Sequence, residues 1–395
     1  MTVKELIARS KAAQEAFAFA TQEQADAAAR AICKVVYDNA EKLGPMAAEE
    51  SRMGSEQDKI AKCRNKSALI WESLKGKKSC DIINRIEERR MIEVAKPVGV
   101  VASIIPSTNP VVTPMSNGAF ALKCRNSVIF APHPRAVKCT KLLVEMFRAE
   151  LKKLGLPEDL VLGLEEVSND LTSELMSAAD MVVATGGMGM VKAAYSSGKP
   201  AIGVGQGNVQ CIIDEDADIA DAVGKIIIGR AFDNGLICLG EQTVFVPEDK
   251  EAEFVAEMKK QGGYLVEGEE NVDKLREGLF PGGGAFSRVV VGMFADQVSD
   301  EIGLGAPKGT RVLFAKAKAL GAGDVLCREK LCPVIAYMTY KTFKEGVAMM
   351  EANLEHEGKG HSIAVHSNTP ENVEYAAIRC CVSRVVVNQP SGTTG

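Results

Sequence analysis

Apolar residues recur at three-to-four spacing from Val3 to Phe19 and again from Ala28 to Val36, so the Ala-rich, charged first 75 residues read as helices. Gly54 and the KGKK run at 75–78 punctuate them. From 80 to 98 the pattern becomes short alternating segments around a charged EERR, which predicts a β-hairpin able to pair with another subunit. Between 98 and 214 strand-length apolar runs (Val98–Ile105, Val128–Ala131, Leu160–Leu164, Met181–Ala184, Ala201–Val204) alternate with helical stretches near 113–124, 136–153, 170–178 and 188–197. That alternation is the signature of a parallel sheet with crossover helices. A second α/β portion follows, with helices at 215–230, 250–261 and 341–353 and strands at Thr243–Val246, Val289–Gly292, Arg311–Phe314 and Val334–Tyr337. The segment SRVVVNQ reads as a last strong strand before PSGTTG. The expected division is 1–233, with the hairpin at 80–98 for oligomerisation, then 234–381, then 382–395 as the start of a C-terminal segment.

Composition narrows the function classes. With 46% hydrophobic and 25% charged residues in 395, the chain has ample material for buried cores. A formal charge of −5 argues against nucleic acid as a partner. The longest apolar runs fall far short of a membrane span, and the N-terminus, carrying Lys4, Glu5, Arg9 and Glu15, does not read as a signal peptide, so a cytoplasmic protein is expected. Eleven cysteines without CxxC pairs are expected to be reduced thiols. His356, His361 and His366 lie five apart, off the spacing that places two metal ligands on one helix face, so no metal site is expected.

Three segments could carry chemistry. Ligands on open α/β sheets collect at the carboxyl ends of strands, and those ends carry IPSTNP, APHP, ATGG and GVGQGN. ATGGMGMVK is a Gly-rich turn ahead of a helix; without G-x-G-x-x-G spacing, a phosphate cradle and an ordinary helix start both fit it. FDNGLICLGEQ holds Cys238, a nucleophile if its thiolate is accessible and a packing residue if it is buried. Asn109 in STNP could donate its amide to an oxyanion or simply serve the turn before Pro110.

Taken in order along the chain, IIPSTNPVVTPM, APHPRA, ATGGMGMVKAAYSSGKPAIGVGQGN, FDNGLICLGEQ, REKLCPV, GKGHSIAVHS and SRVVVNQP resemble the aldehyde dehydrogenase superfamily, most closely its CoA-acylating branch. Within that branch the chain resembles CoA-dependent succinate-semialdehyde dehydrogenases and the aldehyde dehydrogenase half of bifunctional aldehyde–alcohol dehydrogenases. The resemblance implies an α/β fold with a Rossmann-like parallel-sheet cofactor domain (1–233) and an α/β catalytic domain (234–381). It makes Cys238 the nucleophile on the aldehyde carbon, with the oxyanion held by the Asn109 amide and the Cys238 backbone N–H. Hydride then passes to the nicotinamide, and CoA attacks the resulting thioester. It places Pro106, Ser107, Thr108, Pro132, His133, Thr185, Gly186, Gly187, Gly205 and Glu329 around the cofactor, NAD rather than NADP, although Arg135 could meet a 2′-phosphate. His361 is implied near CoA, and Arg230 and Arg384 are the candidates for a substrate carboxylate. The implied partners are a small aldehyde, CoA and further copies of the chain.

Two departures shape the expectation. Where hydrolytic members carry a Glu base in E-L-G-G, this chain reads Gly203-Val204-Gly205-Gln206. Water needs such a base to attack a thioester whereas a thiol ionises readily, so CoA is favoured as acceptor over the hydrolytic alternative, with Glu241 the remaining candidate base. Relatives also continue beyond PSGTTG with a segment that completes the catalytic region and an interface strand. The 395-residue form is therefore expected to be weakly active or inactive, and a catalytically silent homologue is the competing reading. Succinate semialdehyde is preferred over acetaldehyde.

Overall fold

The computed structural model describes residues 1–394, in two compact units: residues 1–52 with 56–205, and residues 53–55 with the chain from Gln206 onward. The division falls at Gly205/Gln206, earlier than the expected 233/234. The reason is that the strand and helix following Gly205 pair and pack with the later half of the chain.

The first unit begins with helices α1 (Val3–Phe17), α2 (Gln22–Asp38), α3 (Ala40–Ser51) and α4 (Glu56–Leu74). Thr2 with Glu5 and Thr21 with Gln24 form capping boxes that satisfy the first free N–H groups of α1 and α2. The hairpin follows as β1 (Asp81–Ile86) and β2 (Met91–Ala95), paired antiparallel, with Arg90 left-handed at the turn. The rest alternates: β3 (Val100–Ile104), α5 (Val112–Lys123), β4 (Ser127–Ala131), α6 (Val137–Lys153), β5 (Val161–Gly163), α7 (Asn169–Ala178), β6 (Met181–Thr185), α8 (Met188–Tyr195) and β7 (Ala201–Val204). The last five strands form an all-parallel sheet in the order β5-β4-β3-β6-β7.

Along β4, Val128 and Phe130 face one core with α2, α5 and α6, whereas Ile129 and Ala131 face the other with residues of α1 and α7. Both faces are covered, which is why these strands read as unbroken apolar runs rather than alternating ones. Because the chain starts mid-sheet at β3, winds out to β5 and returns to β6, the strand order reverses between β3 and β6. In open α/β sheets such a reversal is where the carboxyl ends of the strands leave room for a ligand.

The second unit contains β8 (Val209–Ile213), α9 (Ile219–Ala231), β9 (Glu241–Pro247), α10 (Glu251–Lys260), β10 (Gly263–Leu265), α11 (Glu269–Leu279), α12 (Ala295–Ile302), β11 (Val312–Lys316), β12 (Val334–Tyr340), α13 (Phe343–His356), β13 (Ser362–His366), α14 (Pro370–Arg379) and β14 (Arg384–Val387). Its seven strands are also all parallel, ordered β10-β11-β12-β9-β8-β13-β14. Residues of α9 and α10 cover one face around Val244, Phe314 and Ile335. The other face packs α11 and α12 against Leu313 and Val334, and α13 against Phe245 and Ile363.

Several strands differ from the sequence reading, which named neither β10 nor β13. Val289–Gly292 is a turn: Gly292 has φ 69°, and its carbonyl accepts from Gly54 N–H (3.0 Å) and Asn234 Nδ2 (2.9 Å), leaving no ladder to join. Strand β8 is likewise absent from the sequence reading, and it carries one polar residue, Gln210, among apolar ones. The structure buries that side chain by pairing it with Asn353 Nδ2 (2.8 Å) and the Asn208 carbonyl (2.9 Å). Among the described residues no helix is long and apolar enough to cross a membrane.

Phe130, fully buried in β4, sets the spacing between its sheet and the helices above it. Phe130→Ala is expected to lower unfolding free energy by about 3–5 kcal/mol, measured by urea denaturation.

Candidate active site

In the first unit the expected cofactor residues converge on one edge. Pro106, Ser107, Thr108 and Asn109 follow β3, Pro132 and His133 follow β4, Thr185 to Gly187 end β6 and enter α8, and Gly205 follows β7. Short main-chain bonds stitch these loops together: Ile105 N–H to Ala131 O (2.9 Å), His133 N–H to Ile105 O (3.1 Å) and Gly186 N–H to Val204 O (3.1 Å). Gly187 caps α8 with no side-chain acceptor, and a Cβ on Gly187 or Gly189 would meet nothing within 4 Å. The Met188 and Gly189 N–H groups, ahead of the first main-chain bond of α8 (Met190 N–H to Gly187 O, 2.9 Å) and beside open space, fit the pyrophosphate of a dinucleotide. Asn109 is half-buried, and its Oδ1 accepts from Lys62 Nζ at 3.0 Å.

At Gly203 a Cβ would lie 2.7 Å from Val191 Cγ1 and 3.0 Å from the Tyr195 ring, and the Gly203 N–H donates to Tyr195 Oη at 3.1 Å. The space a longer side chain would need is filled.

In the second unit the site gathers at the opposite kind of edge, where the strands begin. Cys238 lies in the loop before β9, Gly207 ahead of β8, Glu329 ahead of β12 and His361 immediately before β13. Cys238 is exposed while its neighbours Ile237 and Leu239 are buried. Three successive left-handed residues set this loop: Asp233 (φ 49°), Asn234 (φ 53°) and Gly235 (φ 73°). A Cβ on Gly235 would lie 2.6 Å from the Cys332 main chain. Two non-glycine residues in that region cost on the order of 1–3 kcal/mol each. The surroundings hold them through Asn234 Nδ2 on Gly292 O, and through Ser55 N–H on Asp233 Oδ1 at 3.1 Å.

Gly207 packs beneath the nucleophile loop so closely that a Cβ would overlap the Cys238 carbonyl oxygen and stand 3.1 Å from His361 Nε2. Its N–H donates to Glu329 Oε1 at 2.9 Å. Glu329, only 7% exposed, is pushed up to about 8 by burial; its own N–H donates to Glu357 Oε2 at 2.8 Å. Burial also holds the His361 imidazole below its ordinary value, helped by the Arg384 charge, and its Nδ1 finds no hydrogen-bond partner among the described residues. Arg384 is exposed at the start of β14, paired in register with Ser362.

Arg230 corrects an expectation. It is fully buried, with its guanidinium donating to the carbonyls of Lys330 and Cys332, so it braces the Glu329 segment instead of meeting a substrate carboxylate. Glu241 is likewise sealed in: its Oε1 accepts the Ser391 N–H at 3.0 Å, and burial pushes its carboxyl up to about 7. The sequence reading left out Lys62, Gly207 and the Asp233–Asn234 turn. Gly207 was signalled only by its place in GQGN, and Lys62 by nothing local. Among the other cysteines, burial pushes Cys33, Cys332 and Cys380 each up to about 12, away from thiolate reactivity near neutral pH.

An exposed cysteine on a strained loop in the second unit and a doubly wound parallel sheet in the first are features found in oxidoreductases. Residues 1–274 match the model of the aldehyde dehydrogenase family. The chain belongs to the aldehyde dehydrogenase family. It is 47% identical over 395 residues, all of this chain and 87% of the relative, to a succinate-semialdehyde dehydrogenase (acetylating) of Clostridium kluyveri. It is 39% identical to a sulfoacetaldehyde dehydrogenase (acylating) of Bilophila wadsworthia, over 98% of this chain and 85% of that one. The crystal structure of an acetylating aldehyde dehydrogenase from Geobacillus thermoglucosidasius superposes with a TM-score of 0.94 at 35% identity, covering 99% of this chain and 88% of that one.

Two outcomes are expected. Gly207→Ala forces the Cys238 loop or the His361 side chain to move, and should slow alkylation of Cys238 by iodoacetamide, read by peptide mass spectrometry, while circular dichroism stays native. The Glu241 carboxyl, raised from 4.5 to about 7, contributes stability that is complete below pH 4.5 and lost as pH rises through about 7. Glu241→Gln should therefore make the decline in unfolding free energy between pH 4.5 and 7.5 shallower than in the wild type, by denaturant titration at each pH.

Proposed function

We propose that this enzyme oxidises a short aldehyde bearing a distal anion, succinate semialdehyde foremost, and passes the acyl group to the thiol of CoA. The observation that carries the reading is Cys238, exposed between buried neighbours and set among Gly207, Glu329 and His361. Its thiolate adds to the aldehyde carbon to give a thiohemiacetal, whose oxyanion takes hydrogen bonds from the Asn109 amide and the Cys238 N–H. A bound nicotinamide dinucleotide, NAD in our reading, supplies the hydride acceptor. For its binding we assign Thr185, Gly186 and Gly187 to the phosphates, Pro106, Ser107, Thr108, Pro132, His133 and Gly205 to the walls, and the free oxygen of Glu329 to a ribose hydroxyl.

Loss of hydride leaves a thioester on Cys238. The CoA sulfur attacks the acyl carbon, the Cys238 sulfur leaves as thiolate, and His361, kept neutral by burial, takes the CoA thiol's proton. The filled space at Gly203 supports a thiol acceptor over water. Arg384, exposed one strand from His361, is assigned to the distal carboxylate. The sulfoacetaldehyde relative supports a second reading in which the distal anion is a sulfonate. The exposed Ile82, Ile83, Met91, Ile92 and Val94 of the hairpin support assembly of several copies.

The test is NADH formation from succinate semialdehyde, sulfoacetaldehyde and acetaldehyde, each with and without CoA. Turnover should require CoA and fall about 10³-fold or more in Cys238→Ala. Arg384→Ala should raise KM for the two anionic aldehydes about tenfold while leaving acetaldehyde unchanged. Turnover without CoA would point to hydrolysis.

A further inference from the structure

We propose that Lys62 is a positioning residue for the Asn109 amide; this rests on the assignment of Asn109 as oxyanion donor. The buried face of α4 is unusual. Where a packed helix normally presents apolar residues at three-to-four spacing, α4 presents Lys59, Lys62 and Lys66, at 3%, 5% and 8% exposure, beside Cys63 and Ser67. This face belongs to a helix packed on α5, the helix that follows the Asn109 loop. Lys62 Nζ ends 3.0 Å from Asn109 Oδ1.

The chemistry of the pair fixes its geometry. An ammonium carries three donors and no acceptor, so the atom facing it must be the amide oxygen, and the NH2 group must point the other way. Without that charge the amide could turn over and present its oxygen to an oxyanion, which would repel rather than hold it. The ammonium also draws electron density from the amide and strengthens its N–H groups as donors. The Asn109 backbone is anchored separately, by Thr113 N–H on its carbonyl at 3.3 Å and by Pro110 next in sequence. Side-chain orientation is thus the freedom left for Lys62 to remove. Among the described residues of this unit no acceptor takes the Asn109 Nδ2 hydrogens, so they stay available.

The experiment is a double-mutant cycle read as NADH formation from succinate semialdehyde with NAD and CoA, using Lys62→Met, Asn109→Ala and both together. Lys62→Met should lower kcat about ten- to a hundredfold, less than the roughly 10²–10³-fold for losing an oxyanion donor outright, with KM for NAD unchanged. Lys62→Arg, which keeps the donors, should recover most of the rate, and the double variant should be no slower than Asn109→Ala alone. A Lys62→Met enzyme at wild-type kcat, or a double variant slowed by the product of the single effects, would overturn the proposal while leaving the role of Asn109 standing. Asn109→Ala at wild-type rate would overturn both. If Lys62→Met melts below the assay temperature, Lys62→Gln is judged by the same criteria.

Discussion

Parallel pairing is the constraint on which this protein depends. When every strand of a sheet runs the same way, every strand start lies on one edge and every strand end on the other. In the second unit this brings the approaches to β8, β9, β12 and β13 side by side, although Gly207, Cys238, Glu329 and His361 span more than a third of the chain. In the first unit the same constraint gathers the ends of β3, β4, β6 and β7 at the point where strand order reverses. The two units therefore use opposite edges: the first offers strand ends and a helix start suited to phosphate, the second strand starts that hold a thiol.

Such an edge must be rigid, and buried polar groups supply the rigidity. Arg230 holds the carbonyls of Lys330 and Cys332, Lys330 Nζ donates to Leu326 O (2.6 Å) and Arg328 O (2.8 Å), and Gln242 Oε1 accepts the Lys330 N–H at 2.9 Å. Burial lowers Arg230 to about 10 and Lys330 to about 7, the mark of cations whose desolvation is only partly offset by carbonyl acceptors. Removing one partner from such a set leaves a buried group unsatisfied and costs more than an exposed contact of the same type.

The loop of Cys238 shows the converse balance. Asp233 and Asn234 in left-handed conformations store strain that Ser55, Gly292 and the close approach of Gly235 to Cys332 hold in place. The result is a thiol turned outward between two inward-facing aliphatic residues. Most of the other cysteines satisfy packing, and burial raises their thiols away from reactivity.

The sequence by itself determined the alternation of strands and helices in the first unit, because strands buried on both faces must be apolar throughout and their crossover helices amphipathic. It also offered Cys238, Asn109, Glu329 and the Thr185–Gly187 turn as candidates, since those residues stand in motifs whose order along the chain is distinctive. Only the tertiary structure decided the rest. Strand β8 is set by its pairing with β9 and β13, and its buried Gln210 is satisfied in part by Asn353, 143 residues away, which no local pattern announces. Arg230, offered as a candidate for a substrate carboxylate, is instead a buried brace, because burial is a property of what surrounds a residue. Val289–Gly292 carries strand residues but takes a turn, since Gly54 and Asn234 claim the Gly292 carbonyl. Lys62 and Asn109 meet across 47 residues for the same reason: hydrogen bonds between distant side chains follow from how helices pack, and the sequence records only the residues that make them possible.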